Sequence, residues 1–471
     1  MSVRALVACF ALALAAAPAG TAPGLAQGTQ DAAPPRGDTI ANAADTTGAA
    51  SADTTGGAGA AQPEESCVSC HRSLDSERFS APAKAFHNDI HASKGFGCVA
   101  CHGGDDKDSG FGAMDPAKGF IGIPSRRDIP ELCGRCHSDA QFMKRFNPSL
   151  RVDQVAEYRT SVHGRRLAAG DTLVATCADC HHIHSIRPPS DPKSNVYPVH
   201  VSQTCGRCHA DADYMKPYGI PTDQLQKYEK SVHWATLSQK GDLSAPTCND
   251  CHGSHGATPP GVSSVVNVCG QCHAVQAGRF EASFHSEIFS MIGAPGCVTC
   301  HGNHEIHAPT DAFLGVGDSA VCGRCHTADS KGAQVATGER SLIDSLADRM
   351  QVADSILGRA ADAGMEVSQA QANLGNARNA LIQARAAIHS FSVDSVRAKI
   401  DPGLEVADQS ATRGRDALQE LQVRRLGLAV SAALILLVIV MLVLKIHRAG
   451  RPTRPGEGKQ RGNGGEGSHG R

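Results

Sequence analysis

Large aromatic side chains are scarce in this chain. Only 4% of its 471 residues are Phe, Trp or Tyr, and there is one Trp. Glycine and proline are plentiful, at 49 and 24 residues, and runs that read as strands are few. This composition argues against a conventional apolar core, although the length alone would suit about three domains. We expect a mainly α-helical fold with extensive loops and little β structure.

Cysteine is missing outside one short pattern, with Cys9 as the exception. The chain has 19 cysteines, and 18 of them form nine copies of Cys-x-x-Cys-His. A disulfide framework would explain neither the constant two-residue gap nor the nine histidines. Zinc knuckles also use Cys-x-x-Cys, but nine is an odd number of knuckles and each has His directly after it. The cysteines of the pattern are Cys67, Cys70, Cys98, Cys101, Cys133, Cys136, Cys177, Cys180, Cys205, Cys208, Cys248, Cys251, Cys269, Cys272, Cys297, Cys300, Cys322 and Cys325.

This pattern is the attachment motif of c-type haem. Two thiols bond to the porphyrin vinyl groups, and the adjacent imidazole binds the iron as proximal ligand. We therefore predict a nonahaem domain over residues 67–330, with nine haem c groups as its cofactors. Residues 67–326 provide only about 29 residues for each haem, so the stacked haems should themselves form the core. The predicted proximal ligands are His71, His102, His137, His181, His209, His252, His273, His301 and His326.

An internal repeat of irregular length organises this region. A unit begins with a segment ending in Ser-Val-His or Ser-Phe-His and continues with its first haem motif. Another His stands three residues past the proximal one, and a second motif, Cys-Gly-x-Cys-His, closes the unit. The motifs at Cys98 and Cys133 form a divergent unit, and Cys67 stands alone. The arrangement is one motif followed by four pairs.

The repeat also predicts the distal ligands, because a c-type haem usually carries His or Met opposite the proximal His. For a ninth distal ligand the candidates are His200, His307 and His182. We favour His200, which has no counterpart in the other units. Met143 and Met215 follow matching motifs as alternative ligands, and we interpret them as packing beside the porphyrins. The other predicted distal ligands are His87, His91, His163, His184, His233, His255, His285 and His304.

Residues 67–326 resemble the multihaem c-type cytochromes of the doubled Cys-x-x-Cys-His class. This class includes periplasmic tetrahaem quinol-dehydrogenase cytochromes and larger reductase and wire-like cytochromes. The resemblance implies paired haem stacks, bis-His iron and electron transfer. Those quinol-dehydrogenase relatives carry an N-terminal membrane helix, whereas the candidate here is C-terminal. The Cys-x-x-Cys-Lys motif of pentahaem nitrite reductases is absent from this sequence.

Both ends of the chain read as targeting and anchoring segments. Residues 1–26 have the basic start, apolar stretch and small-residue cleavage site of a signal peptide, which would remove Cys9. Residues 27–66 lack large apolar side chains and are predicted to be a disordered linker. Residues 426–444 carry no charge and are long enough to span a bilayer. The basic tail at 445–471 places the C-terminus in the cytoplasm and the haems outside the cytoplasmic membrane, on the periplasmic side.

Residues 335–425 are predicted to be helical. Val367, Leu374, Leu381 and Ile388 belong to a stripe with coiled-coil spacing, and residues 401–403, Asp-Pro-Gly, are expected to break it. The resulting helical hairpin would pack on the haem domain or form a homo-oligomer interface; a plain stalk is the alternative. We expect His389, in this segment, to lie outside the haem ligand set.

The net charge of −2 becomes about −11 once nine haems are counted. Nucleic acid is therefore not an expected partner. We expect a single-pass membrane cytochrome that relays electrons in respiration. The donor would be a quinol-oxidising, multi-helix membrane subunit, and the acceptors would be redox partner proteins in the periplasm or beyond. The alternative is a reductase or oxidase of a small nitrogen or sulfur compound, which needs one haem with an open distal site. A haem-filament subunit fits poorly with the C-terminal anchor.

Overall fold

The computed structural model describes residues 65–261 and 265–449. The predicted signal peptide, all but the last two residues of the predicted linker, and the tail from residue 450 lie outside the described residues. Across the described ranges the chain is mainly helical, and no β-strand occurs. This confirms the predicted helical class. The fold has two parts, a loop-rich region up to residue 330 and a bundle of long helices after it.

The loop-rich region consists of short helices joined by turns, because glycine and proline interrupt the chain so often. In chain order the α-helices are α1 (Ser66–Arg72), α2 (Glu77–Ala85), α3 (Ile90–Ser93), α4 (Cys98–His102), α5 (Ile129–His137), α6 (Ala140–Met143), α7 (Gln154–Thr160), α8 (Val162–Ala168), α9 (Cys177–His181), α10 (Pro198–His209), α11 (Ala212–Met215), α12 (Gln224–Glu229), α13 (Val232–Gln239), α14 (Cys248–His252), α15 (Val265–Gly270), α16 (Ala274–Glu281), α17 (Phe284–Ile292) and α18 (Gly296–His301). Single 3₁₀ turns occur at Phe86–Asn88, Phe111–Met114, Pro116–Lys118, Lys216–Tyr218, Asp311–Phe313, Cys322–Arg324 and Ile388–Ser390.

Seven of the nine Cys-x-x-Cys-His motifs lie wholly within these short helices, and local capping starts two of the helices. The Cys269 motif extends past the end of α15, and the Cys322 motif begins in a 3₁₀ turn. Thr176 and Asp179 form a capping box at the start of α9, and Thr247 and Asp250 do the same for α14. In a helix, residues i, i+3 and i+4 share one face. The two cysteines and the histidine of a motif therefore point in the same direction.

Three long helices follow: α19 (Lys331–Asp362), α20 (Ser368–Ala387) and α21 (Val393–Ala449). They pack as a bundle in which α19 and α21 run parallel: Gly338 lies beside Val393 and Gly414 beside Leu357. Small and branched apolar side chains fill the bundle, as the predicted stripe requires. Its fully buried members include Ile343, Leu346, Ala353, Leu357, Leu374, Ala377, Ala384, Val396, Ile400 and Ala407.

The predicted break at residues 401–403 is wrong. Pro402 and Gly403 lie inside α21, because tertiary packing outweighs the local preference of these residues. A Cβ added to Gly403 would lie 2.8 Å from Ala380 Cβ and 2.8 Å from Leu346 Cδ2, so this glycine permits close helix contact. The chain reverses instead at the 3₁₀ turn Ile388–Ser390, and the predicted hairpin becomes a three-helix bundle.

The C-terminal half of α21 leaves the bundle. Residues 424–449 are exposed throughout, although 426–444 carry no charge. Among the described residues, α21 is the one helix long and apolar enough to cross a membrane. Its apolar window is neither buried inside the protein nor N-terminal, so the predicted span at 426–444 has a matching element.

Candidate cofactor-binding sites

Eight of the nine motif histidines face a second imidazole ring across a nearly constant gap. The distances between ring centroids run from 5.9 to 6.4 Å. The histidines of first motifs form the pairs His102–His184, His181–His255, His252–His304 and His301–His389. The histidines of second motifs form the pairs His137–His91, His209–His163, His273–His233 and His326–His285.

This gap matches the space that one metal ion needs between two imidazoles. An imidazole nitrogen binds a first-row metal at about 2.0 Å. Two rings on opposite sides of one ion therefore have centroids about 6 Å apart once the radius of each ring is added. Direct ring stacking would bring the centroids closer. The pairs can hold one iron atom each, with a porphyrin plane between the rings.

The two kinds of pair differ in ring orientation. First-motif rings are nearly parallel, with interplanar angles of 14°, 9°, 7° and 18°. Second-motif rings are crossed by 88°, 62° and 72° in three units and by 31° in the His233–His273 pair. The alternation follows the order of the motifs along the chain. It supports the division into one motif and four pairs that the sequence indicates.

The second imidazole comes from two places. In second-motif pairs it is the histidine that leads the same unit. In first-motif pairs it comes from the next unit: His184, which follows the Cys177 motif, faces His102 of the unit before. Main-chain hydrogen bonds lock these units together. The amide of Val162 donates to Ala257 O at 3.1 Å, and the amide of Val232 donates to Ile306 O at 2.7 Å.

The same interlocking occurs in the divergent first unit, where the amide of Ile90 donates to Ile186 O at 2.8 Å. His184 and His304 adopt left-handed backbone conformations, with φ of 59° and 55°. Such φ values are uncommon for residues other than glycine and cluster at functional sites. The backbone of these two loops therefore adopts an uncommon conformation that places the rings of His184 and His304 opposite those of His102 and His252.

His389 completes the eighth pair, contrary to the expectation that it lies outside the set. Its ring is 6.2 Å from that of His301, with 18° between the planes. No sequence signal joins the two, because His389 lies in the turn after α20 and not in the repeat. The sequence does show that the repeat lacks a fifth unit, so no unit follows the fourth one to supply a histidine for His301.

His71, His87 and His200 are placed differently. Within the described chain the ring of His71 faces Phe79 at 6.3 Å and 63°, and that of His200 faces Tyr197 at 6.1 Å. His87 is exposed, with Nδ1 2.6 Å from Lys84 O. The structure therefore brings seven of the nine predicted distal histidines opposite a motif histidine and does not bring His87 or His200 there.

Met143 and Met215 are buried and line the same space as the paired rings. The motif histidines that precede them, His137 and His209, already face His91 and His163. Packing is thus the role that fits both methionines.

Motifs that are consecutive in the sequence are also neighbours in space. Within units, the arginine of Cys-Gly-Arg-Cys-His reaches back to the first motif. Arg135 donates to Cys101 O at 3.2 Å, Arg324 donates to Thr299 O at 3.1 Å, and Arg207 donates to Asp179 O. The two motifs of each of these three units therefore adjoin.

Between units, thiols of adjoining motifs touch. Contact with the thiol of Cys133 raises the pKa of Cys177, and burial adds to the shift. The thiols of Cys205 and Cys297 have raised pKa values for the same reasons, through Cys248 and Cys269. These contacts place the second motif of each unit beside the first motif of the next.

One cavity of about 3410 Å³ connects the sites. It is lined by all nine motif histidines, by their eight partners and by 16 of the 18 motif cysteines. Sites for single small molecules enclose about 300–1,000 Å³, so this space suits several large groups. The pairs, the cysteines beside them and the mostly apolar walls fit covalently attached haem. By contrast, no group of three or more His, Cys, Asp or Glu side chains in the described ranges is placed to hold a bare metal ion.

Burial keeps the paired rings in the form that binds metal. It lowers the pKa of these imidazoles, which favours the neutral ring at neutral pH. The affected residues are His137, His163, His181, His184, His209, His233, His255, His285, His301, His304 and His389.

Several rings are also oriented through Nδ1, which leaves Nε2 for the partner side. Nδ1 lies 2.8 Å from Asp89 Oδ1 in His91 and 2.8 Å from Gly122 O in His102. Metal-binding histidines are commonly held by such contacts.

Comparisons with known proteins add no family assignment. No family model, no curated protein and no solved structure matches this chain.

Proposed function

We propose that this chain is a membrane-anchored nonahaem c-type cytochrome that relays electrons along its row of haems. The observation that carries the proposal is the set of eight imidazole pairs, each built on a Cys-x-x-Cys-His motif and each with the spacing of two ligands on one iron. The order of the motifs in space supports a relay, because neighbouring sites adjoin from the first unit to the last.

When bound, each haem supplies one-electron redox chemistry at its iron. The chain's own contribution is position and environment. The cysteines would attach each porphyrin, and the eight imidazole pairs would hold eight of the nine irons, which favours electron transfer over binding of a substrate at those sites. Imidazole on both sides also keeps the potentials lower than Met ligation would. That range suits a donor at the quinol level, such as a quinol-oxidising membrane subunit, with periplasmic or outer redox proteins as acceptors.

Haem analysis of the purified chain tests the proposal. The full-length protein, produced with its signal peptide in a host that attaches c-type haem, should contain nine covalent haems. After oxidation, at least eight irons should give low-spin electron paramagnetic resonance signals. A single-motif variant, Cys205→Ser with Cys208→Ser, is the matched control and should lose one haem. Absence of covalent haem, or a majority of high-spin irons, would overturn the proposal.

A second candidate function rests on the site at His71. Its ring faces Phe79, at 6.3 Å, where the other eight motif histidines face an imidazole. Residues 1–64 contain no histidine. A haem at this motif would have an accessible distal position, which is the requirement for a reductase or oxidase of a small nitrogen or sulfur compound. Phe79 is 45% exposed, so a small ligand can reach this side.

Carbon monoxide binding to the reduced protein distinguishes the two functions. One molecule per chain, abolished by replacing Cys67 and Cys70 with Ser, would support an open site at His71. Turnover of nitrite or hydroxylamine by the same protein would then establish an enzyme. No carbon monoxide binding would leave the relay as the function.

A further inference from the structure

We infer that His389, from the turn between α20 and α21, is the distal ligand of the haem held by Cys297, Cys300 and His301. The inference rests on the proposed haem function and assigns a ligand that lies outside the repeat. It makes the three-helix bundle part of a redox site and not only a stalk.

The geometry of the His389–His301 pair is that of the other first-motif pairs. Its centroid distance of 6.2 Å falls among the 6.0, 6.1 and 6.2 Å of the other three. Its interplanar angle of 18° continues the parallel series. Because the partner of each first motif comes from the segment that follows its unit, the bundle takes the place of the missing fifth unit.

A buried histidine is more often a satisfied core residue than a ligand, so the contacts of His389 matter. Its Nδ1 donates to Ala386 O at 3.1 Å, which satisfies one ring nitrogen and leaves Nε2 available. The ring lines the common cavity. This combination, one nitrogen held by the backbone and the ring stacked beside a motif histidine, is the pattern of an oriented metal ligand.

The turn that carries His389 packs against the sites of His301 and His326. Phe391 has a left-handed backbone, with φ of 51°, and its ring lies 3.9 Å from that of His285, the partner of His326. Arg385 binds Asp311 through two hydrogen bonds of 2.9 and 2.7 Å. Asp311 begins the turn that carries Phe313, whose ring lies 6.2 Å from His301. Contacts on both sides of His389 thus hold the bundle against this site.

The test compares His389→Ala with the matched control His200→Ala in the full chain. Nδ1 of His200 also bonds a backbone carbonyl, Ser194 O at 2.8 Å, but its ring faces no motif histidine. Both variants should keep nine covalent haems. His389→Ala should lose one low-spin haem signal and bind one more carbon monoxide per chain than the parent, and added imidazole should restore the signal. His200→Ala should behave as the parent.

A His389→Met variant keeps the test decisive should the alanine variant fail to fold. Methionine can still bind the iron, so one haem should stay low-spin with a raised potential. Unchanged spectra and potentials in both His389 variants would overturn the inference while leaving a nine-haem parent, and thus the proposed function, intact. A parent without haem would instead overturn the proposed function.

Discussion

The carboxylate of Asp89 accepts a hydrogen bond from Nδ1 of His91, with 2.8 Å between His91 Nδ1 and Asp89 Oδ1. Asp89 is 2% exposed, and its Oδ2 accepts from the amide of Ile186 at 2.7 Å. Burial by itself raises the pKa of Asp89, but the hydrogen bonds from His91 and Ile186 outweigh it, and the pKa lies below its usual value. A carboxylate on the outer nitrogen makes an imidazole a stronger electron donor to its metal.

Replacing that carboxylate should therefore raise the potential of one haem. In Asp89→Asn the amide keeps a hydrogen bond but removes the charge, so the haem proposed between His91 and His137 should become easier to reduce. Spectroelectrochemical titration should show one of nine haems shifted upward. Asp139→Asn, which alters another N-cap carboxylate, is the control. Equal titrations of the two variants would contradict the role given to Asp89.

The alternation of ring angles predicts two classes of low-spin iron. Parallel axial imidazoles give a rhombic low-spin resonance, whereas crossed imidazoles give a signal with one large g value. We expect four haems in the first class and at least three in the second. His255→Ala should remove one signal of the parallel class, and His163→Ala one of the crossed class. A uniform set of nine signals would show that the ring angles are not maintained around iron.

Met143 and Met215 should be replaceable without loss of a ligand. Leucine has a similar volume, so Met143→Leu and Met215→Leu should cost less than about 1.5 kcal/mol of stability. All low-spin signals should persist. If either methionine were a ligand, the leucine variant would convert one iron to high spin, and the matching His91→Ala or His163→Ala variant would not.

Glu339 should make the bundle less stable as the pH rises. Burial raises its pKa to about 7, with a partial offset from the amide of Ser392. The folded chain therefore holds a proton that the unfolded chain releases near pH 4.5, so this contribution to stability is complete below pH 4.5 and declines up to about pH 7. The loss is on the order of 3 kcal/mol.

Urea titrations followed by helical circular dichroism at pH 5 and pH 8 check this prediction. Glu339→Gln should reduce the difference between the two midpoints, whereas Glu405→Gln, at an exposed position of α21, should leave it unchanged. An equal difference in parent and Glu339→Gln would mean that this carboxyl does not control the pH response.

Two glycines of the bundle should respond to alanine in opposite directions. In Gly403→Ala the new methyl meets Ala380 and Leu346 at 2.8 Å, and overpacking of this kind costs about 1–3 kcal/mol. Gly375 has open space around it, so Gly375→Ala should gain up to about 1 kcal/mol from helix propensity. The same urea titrations measure both. Stabilisation by both substitutions would contradict the close contact at Gly403.

The positions of the candidate sites along the chain could largely be predicted from the sequence, because they follow the short Cys-x-x-Cys-His motif and an internal repeat. The leading histidines such as His163 and the downstream ones such as His255 were recognisable by their matching positions. The sequence could not indicate that His255 faces His181 of the preceding unit. That arrangement depends on backbone hydrogen bonds between segments far apart in the chain, such as the one from Val162 to Ala257.

The pairing of His389 with His301 and the continuous helix through Pro402 could not be predicted from the sequence for a related reason. His389 lies 88 residues beyond His301 and belongs to no repeat, so only the folded chain reveals their contact. Pro402 and Gly403 have strong local preferences for a turn, but packing in the bundle stabilises a continuous helix with close contacts at Gly403. His87 is predicted as a leading histidine of the divergent unit and His200 has no counterpart in the other units; in the described chain neither ring faces a motif histidine.

The continuous helix α21 sets the distance between His389 and the candidate membrane span. The helix begins at Val393, four residues after His389, and its apolar stretch starts at residue 426. At 1.5 Å per residue this is about 50 Å of helix, and α19 and α20 brace most of it. In the proposed cytochrome, a quinol dissolved in the bilayer could not pass an electron across that distance to the haem at His389 in one tunnelling step. A membrane donor that uses this haem would have to extend along the bundle to reach it.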